Sequence, residues 1–147
     1  MAVCTFCGHR RIPDAVRPQL EALIEKHITE YGVTEFWVGN YGQFDRMARA
    51  AVCEAKRVYP HVRLCLLLPY MLTEDISMDI VGVDEVIIPS AVDGVPKRAA
   101  ILRLNRYMID HADYLITYVK YISNGAYKTL EYARKKKDLE IRMLSPV

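Results

Sequence analysis

The stretch Val3-Cys4-Thr5-Phe6-Cys7-Gly8-His9-Arg10 is a short apolar run that stops abruptly at glycine, histidine and arginine. It predicts the first strand of an α/β sheet, ending in a polar loop. Ligands of open parallel sheets bind at the carboxyl ends of the strands, so Gly8, His9 and Arg10 are expected at a binding site. Gly8 would allow close approach of a ligand, and Arg10 suits phosphate or carboxylate. A tight turn with a solvated basic pair explains the octet equally well.

The composition predicts one soluble globular domain over residues 1–147. The chain has 147 residues, of which 52% are hydrophobic and 26% charged, which is enough for one core and too little for two typical domains. Its net charge of +2 lacks the basic excess of nucleic-acid-binding proteins. No apolar run reaches the roughly 20 residues that span a bilayer, and no signal peptide is evident. We therefore expect a cytoplasmic protein without a membrane partner, and nucleic acid is not an expected partner.

The four cysteines give no reason to expect a metal site. Cys4 and Cys7 form a CxxC motif, but residues three apart on a strand point to opposite faces, which prevents shared coordination. Cys53 and Cys65 lie in apolar segments, and no histidine pair stands nearby. We expect buried, reduced thiols and no bound metal.

Apolar strands and amphipathic helices alternate along the chain. With short connections, this alternation predicts a Rossmann-like, three-layer, doubly wound α/β sheet, mainly parallel and of about five to six strands. Asp45 is expected to cap the second helix. After the first strand, further strands are expected at 35–38, 64–68, 84–88, 113–119 and 140–144, and helices at 18–31, 46–58, 96–111 and 127–137.

Three loops are expected to meet at one edge of this sheet, and two of them open directly onto helices. Free backbone N–H groups and the positive end of the helix dipole favour an anion such as phosphate there. Tight strand-to-helix turns would also account for the glycines. No GxGxxG opens the fold and no GxxxxGK[ST] is present, so no nucleotide cofactor is expected. The candidate ligand-binding residues in these loops are Gly8, His9 and Arg10, then Gly39, Asn40, Gly42, Gln43 and Asp45, and finally Ser123, Asn124, Gly125 and Ala126.

With these loops assembled, the chain resembles the SLOG superfamily of Rossmann-like proteins, in particular its small bacterial and phage members. The resemblance covers nearly the whole chain. Its motifs are Cys7-Gly8-His9-Arg10, Val38-Gly39-Asn40-Tyr41-Gly42-Gln43-Phe44-Asp45, Val95-Pro96-Lys97-Arg98, Leu104-Asn105-Arg106-Tyr107-Met108, Asp113-Tyr114-Leu115-Ile116-Thr117-Tyr118-Val119 and Asn124-Gly125-Ala126. The chain departs from the family pattern at Cys7, Leu104 and Ala126, where threonine or serine, arginine and a second glycine are usual.

The resemblance implies a protein that binds nucleotide derivatives. The superfamily includes DprA-type DNA-processing proteins, sensors of ADP-ribose-like signals and the "lonely guy" phosphoribohydrolases. We therefore expect a sensor, carrier or sequestering protein for a phosphate-bearing nucleotide or an ADP-ribose-like signal. Two alternatives stay open: a nucleotide N-glycosidic hydrolase or phosphoribohydrolase, and a protein-interaction module with a vestigial pocket. The resemblance gives a phosphate-binding role to Gly8, Arg10, Gly39, Gly42, Asn124, Gly125 and Ala126, with Asp45 and Asn105 lining the same pocket and Arg106 a further candidate beside Asn105.

The sequence leaves open whether the protein is an enzyme. Residues 124–132 loosely resemble the hydrolase signature PGGxGTxxE, with Glu131 near its last position. In that register the carboxylate position falls on Tyr132, and one residue rotates a helical side chain by about 100°. Glu131 is thus a catalytic candidate that fits an exposed helix position better. His9 is the second candidate, as a general acid or base or as a hydrogen-bond donor to phosphate.

Three features of the helices and loops complete the expectations. The apolar faces of the long helices exceed what one sheet covers, which favours a homodimer or a higher homo-oligomer. Tyr118, Tyr121 and Tyr127 near the third loop fit either stacking on a nucleotide base or ordinary packing. The basic cluster 134–137 fits a solvated helix C-terminus.

Overall fold

The computed structural model describes residues 2–123 and 125–147, and these form a single six-stranded, all-parallel sheet. The strand order is β4-β3-β2-β1-β5-β6. The α/β fold class and the doubly wound, Rossmann-like sheet predicted from the sequence are confirmed. The strands are β1 (Ala2–Gly8), β2 (Val33–Val38), β3 (Arg63–Leu67), β4 (Glu85–Ile87), β5 (Tyr114–Tyr118) and β6 (Glu140–Met143).

Four α-helices cover the two faces of the sheet. Right-handed crossovers place helices on opposite faces when the chain moves in opposite directions from β1. Side chains from the first two helices therefore share one apolar cluster with the sheet, and those from the last two share two smaller clusters. The helices are α1 (Arg17–Thr29), α2 (Gln43–Val58), α3 (Lys97–His111) and α4 (Ala126–Arg134), and 3-10 turns lie at Asp14–Val16 and Ser90–Val92.

The central strand β1 is buried because helices lie on both of its faces. Cys4 and Phe6 belong to the cluster under α1 and α2, whereas Cys7 packs with α4. The two thiols of the CxxC motif thus point to opposite faces, as the strand period requires. Thr5, fully buried, donates its hydroxyl to the Trp37 carbonyl oxygen at 3.0 Å. All four cysteine thiols are free.

Two expected details are wrong at helix ends. Asp45 is not the N-cap of α2, because the helix starts earlier and Gly42 occupies that position. The Asp45 carboxylate instead accepts a hydrogen bond from the Tyr41 N–H at 2.8 Å, from inside the first turn. α4 stops at Arg134 rather than at Lys137. None of the helices in the described part of the chain has the length and apolar character needed to cross a membrane.

The strand order places a crevice at the carboxyl end of β1. This strand pairs with β2 on one side and with β5 on the other. The chain therefore winds in opposite directions from β1, which makes its end the topological switch point where α/β sheets bind ligands. The connections after β1 and after β5 border that crevice.

Gly8, the last residue of β1, is fixed by packing against α2. A Cβ atom there would lie 2.3 Å from Phe44 Cγ, and the Phe44 side chain is fully buried. The missing side chain thus makes room for an aromatic ring of the protein. The sequence suggested that glycine is needed here so that a ligand can approach closely. In the structure, glycine is needed because the Phe44 ring occupies the space of a side chain.

We predict that Gly8→Ala destabilises the protein by about 1–3 kcal/mol, because the added methyl group overpacks a filled core. Urea unfolding measures this change, and Phe44→Leu should reduce it in a double-mutant cycle. Gly125→Ala is the matched control, since a Cβ there meets nothing within 4 Å. Equal unfolding midpoints for Gly8→Ala and the parent would contradict this account of the glycine.

Candidate functional site

A cleft of about 610 Å³ lies at the switch point. Its walls come from the end of β1, the β2–α2 connection, the first half of α3, the β5–α4 connection and the start of α4. Its volume falls within the range of about 300–1,000 Å³ that is usual for small-molecule sites. Eight of the expected ligand-binding residues line it: Gly8, His9, Arg10, Asp45, Asn105, Ser123, Gly125 and Ala126. Asn124 lies outside the described residues.

Five expected ligand-binding residues do not line the cleft: Gly39, Asn40, Gly42, Gln43 and Arg106. Asn40 accepts a hydrogen bond from Arg49 at 3.3 Å. The Arg106 guanidinium lies 5.0 Å from the centre of the Tyr132 ring. A Cβ atom on Gly39 would lie 3.1 Å from Asp45 Oδ2, so this glycine makes room for the carboxylate.

Gly42 and Gln43 hold the loop that carries Arg10. The Gln43 N–H donates to the Arg10 carbonyl oxygen at 2.7 Å, and the Gln43 side-chain oxygen accepts the Ile12 N–H at 2.8 Å. Gly42 has a φ of +104°, and a Cβ there would lie 2.7 Å from Arg10 Cα. These contacts leave the Arg10 side chain exposed at the cleft. Both residues therefore position a cleft residue without lining the cleft.

His9 is 3% exposed and held by backbone groups. Its N–H donates to the Tyr118 carbonyl oxygen at 3.3 Å, and its Nε2 lies 3.0 Å from the Lys120 N–H. Because Nε2 accepts that hydrogen bond, the proton of the neutral ring is on Nδ1. Burial and the nearby Lys120 charge lower the pKa of His9. At neutral pH the uncharged form of the ring is therefore favoured.

Polar groups surround the N-terminus of α4. The Ser123 hydroxyl accepts the Tyr127 N–H at 3.1 Å, and Gly125, the N-cap residue, offers no side chain. The Cys7 thiol donates to the Ala126 carbonyl oxygen at 3.3 Å, and burial raises the pKa of Cys7 to about 12. Cys7 is thus a neutral thiol that fastens the helix to the strand. The positive end of the helix dipole lies at Gly125, which lines the cleft.

The cations of the cleft come from three different elements. Arg10 follows β1, Arg98 lies in the first turn of α3, and Lys128 lies in the first turn of α4. Asp45 is the one carboxylate among the described lining residues. The cleft therefore carries a net positive charge that suits an anionic ligand.

Sequence reasoning gave no site role to Arg98 or Lys128. The face of α3 could have identified Arg98, because residues three, four and seven apart share one side of a helix. Counting back from Asn105 gives Leu102, Ile101 and Arg98, and all of them line the cleft. For Lys128 the signal was its place in the first turn of a helix opened by Gly125. Tyr41, Tyr121 and Thr129 also line the cleft.

Asp45 combines burial with a functional position. Burial raises the pKa of this carboxyl to about 6, although the Tyr41 N–H and the nearby Arg49 and Arg46 charges oppose the rise. The residue is mostly ionised at neutral pH, in surroundings that disfavour its charge. A partly buried carboxylate that lines a cleft and whose charge is disfavoured there is a candidate functional residue.

Glu131, the other catalytic candidate, does not line the cleft. Its carboxylate forms an ion pair with Arg134 at 3.0 Å, and both side chains are close to half exposed. Asn105, by contrast, reaches the start of α4, where its amide donates to the Thr129 hydroxyl at 3.4 Å. The carboxylate that the hydrolase signature needs is thus not supplied by Glu131 in this structure.

Compared with known proteins, the chain matches no protein-family model and no curated protein. The resemblance to the SLOG superfamily therefore stays a prediction from the motifs.

We predict that Asp45→Asn raises stability at pH 7 by about 1–3 kcal/mol. A carboxyl whose pKa is raised on folding stabilises the fold at pH values below its unfolded pKa of about 3.8, and this contribution is lost as pH rises through about 6. The parent should therefore lose stability between about pH 4 and 6 relative to Asp45→Asn, whose amide oxygen can still accept the Tyr41 N–H. Urea unfolding at pH 4, 5, 6 and 7 tests this, and parallel pH profiles for the two proteins would show the prediction to be wrong.

Proposed function

We propose that this protein binds a nucleotide or a nucleotide-derived, ADP-ribose-like signalling molecule as a sensor, carrier or sequestering protein. The observation that carries the proposal is that Arg10, Arg98, Lys128 and the N-terminus of α4 line one cleft. Charged side chains and a helix N-terminus in one cleft suit phosphate oxygens.

The rest of the cleft favours a ligand larger than free phosphate. Its volume of about 610 Å³ far exceeds the space that one phosphate group fills. Asp45 and Asn105 offer a carboxylate and an amide on the same cleft. A carboxylate accepts hydrogen bonds from hydroxyl groups but repels phosphate, so it suits the sugar part of a phosphorylated ligand.

Binding is better supported than hydrolysis. Glu131, the carboxylate expected to act in a hydrolase, pairs with Arg134 outside the cleft. The phosphoribohydrolase alternative rests on Asp45, because a carboxyl with a pKa of about 6 can exchange protons near neutral pH. Incubation with AMP and ADP-ribose, followed by chromatography for released base, separates binding from turnover.

Membership of the SLOG superfamily is part of the same proposal. The cleft residues Gly8, Arg10, Asn105 and Gly125 fall at the positions where the resemblance implies ligand contacts. Leu104 departs from the family pattern, because it is buried with Trp37 and Met108 where the family has arginine.

The decisive experiment replaces Arg10 by alanine. The side chain is exposed, and the backbone oxygen that accepts the Gln43 N–H is retained, so the fold should not change. Loss of a charge-assisted contact to phosphate should weaken binding of AMP or ADP-ribose by about 10- to 150-fold. Isothermal titration calorimetry measures the affinities, after mass spectrometry of the purified protein has shown whether a nucleotide is carried along.

Arg134→Ala is the matched control, because this arginine lies at the far end of α4 and pairs with Glu131. Its removal should change affinity by less than about twofold. Tight binding of the same nucleotide by both variants would exclude the phosphate role of Arg10. Absence of any nucleotide binding by the parent would favour the protein-interaction alternative.

We also propose that the protein acts in the cytoplasm as a homodimer or a higher homo-oligomer. Met71, Met78 and Val81, all in the connection between β3 and β4, are exposed apolar side chains. Association would remove such surface from water. Sedimentation should show a species of at least twice 16.9 kDa, and a monomer alone at micromolar concentration would contradict the proposal.

A further inference from the structure

Tyr121 presents one open aromatic face at the cleft. It belongs to the connection between β5 and α4, and its other face stacks on His9 with ring centres 3.7 Å apart and planes within 5°. The residue is nevertheless 51% exposed. Among the described residues no further ring and no cation stacks on Tyr121. Because one face is covered by His9, the exposed area includes the second face of the ring.

The open face is fixed in place before any ligand arrives. Tyr121 rests on His9, which is 3% exposed. The Lys120 N–H holds the His9 ring at Nε2, and the Tyr118 carbonyl holds its backbone. A tyrosine has few rotatable bonds, and here packing already restricts them. Stacking on such a surface therefore loses little conformational entropy.

The other cleft residues suit phosphate and hydroxyl groups, but none of them provides a surface for a flat ring. Arg98, Lys128 and the N-terminus of α4 suit phosphate, and Asp45 suits hydroxyl groups, but none of them recognises a planar ring. An aromatic side chain stacks on any nucleobase, since every base has a π-face. Tyr121 and Gly125 line the same cleft and belong to the same short connection between β5 and α4.

We propose that the open face of Tyr121 is the stacking surface for the base of a bound nucleotide. This inference rests on the proposed function and adds the residue that separates nucleotides from sugar phosphates. The phosphate lies toward Gly125 and the cations, and the base lies on Tyr121. The subsite is selective for a planar ring and tolerant of which base carries it.

The test compares AMP and ADP-ribose, which carry a base, with ribose 5-phosphate, which does not. For Tyr121→Ala, calorimetry should show AMP and ADP-ribose binding weakened by about 5- to 100-fold. Ribose 5-phosphate should bind within about twofold of its affinity for the parent, since it places nothing on the ring. Tyr121→Phe keeps the ring and should restore AMP binding to within about twofold.

Ile122→Ala is the control in the same connection, because Ile122 is 78% exposed and does not line the cleft. It should leave all three affinities unchanged. Unchanged AMP affinity in Tyr121→Ala, or an equal loss for AMP and ribose 5-phosphate, would overturn the base subsite while leaving the phosphate site intact. If the parent bound none of the three, the proposed function and this inference would both fail.

Discussion

The contact between the Phe44 ring and Gly8 is the constraint on which the arrangement of the cleft depends. The ring occupies the space of the missing side chain, since a Cβ there would lie 2.3 Å from Phe44 Cγ. The first turn of α2 is thereby held against the end of β1. From that position the Gln43 N–H reaches the Arg10 carbonyl oxygen, and Asp45 faces the cleft. A hydrophobic contact on one face of the sheet thus positions the polar groups at its edge. Because core packing tolerates little change in volume, the packing of the core also fixes where these polar groups lie.

The sequence predicts the fold well because its strongest signals are local. The buried run of β3 and the proline before α3 define elements whose ends fall close to the expected positions. The loops at the carboxyl ends of parallel strands must then meet, whatever their side chains do. The direction of each loop side chain is a different matter. Asn40 turns to Arg49, and Gly42 packs on Arg10, because tertiary contacts decide which loop residue faces the cleft. Those contacts join distant segments, and no pattern along the chain encodes them.

The electrostatics of the cleft could not be predicted from the sequence either. An aspartate near the start of a helix is an ordinary residue, and its effect on stability depends on how deeply it is buried. Burial raises the pKa of Asp45 to about 6, and the Gly39 backbone packs against the carboxylate. A carboxylate in a net positive cleft opposes the general attraction for anions. Under the proposed function, Asp45 would orient the ligand, because the phosphate end would avoid this carboxylate and a hydroxyl-bearing end would approach it.

The protonation states of the remaining groups favour recognition over chemistry. A general acid or base works best when its pKa is near the working pH. Burial raises the pKa of the Cys7 thiol to about 12, so the thiol stays neutral near neutral pH. Burial and the nearby Lys120 charge lower the pKa of His9, which favours its uncharged imidazole. Burial raises the pKa of Asp45 to about 6, and its Oδ2 is held by the Tyr41 N–H. Positive side chains from three elements, an imidazole held by backbone groups and one oriented carboxylate therefore support the proposal that the cleft holds a phosphorylated ligand in a single orientation.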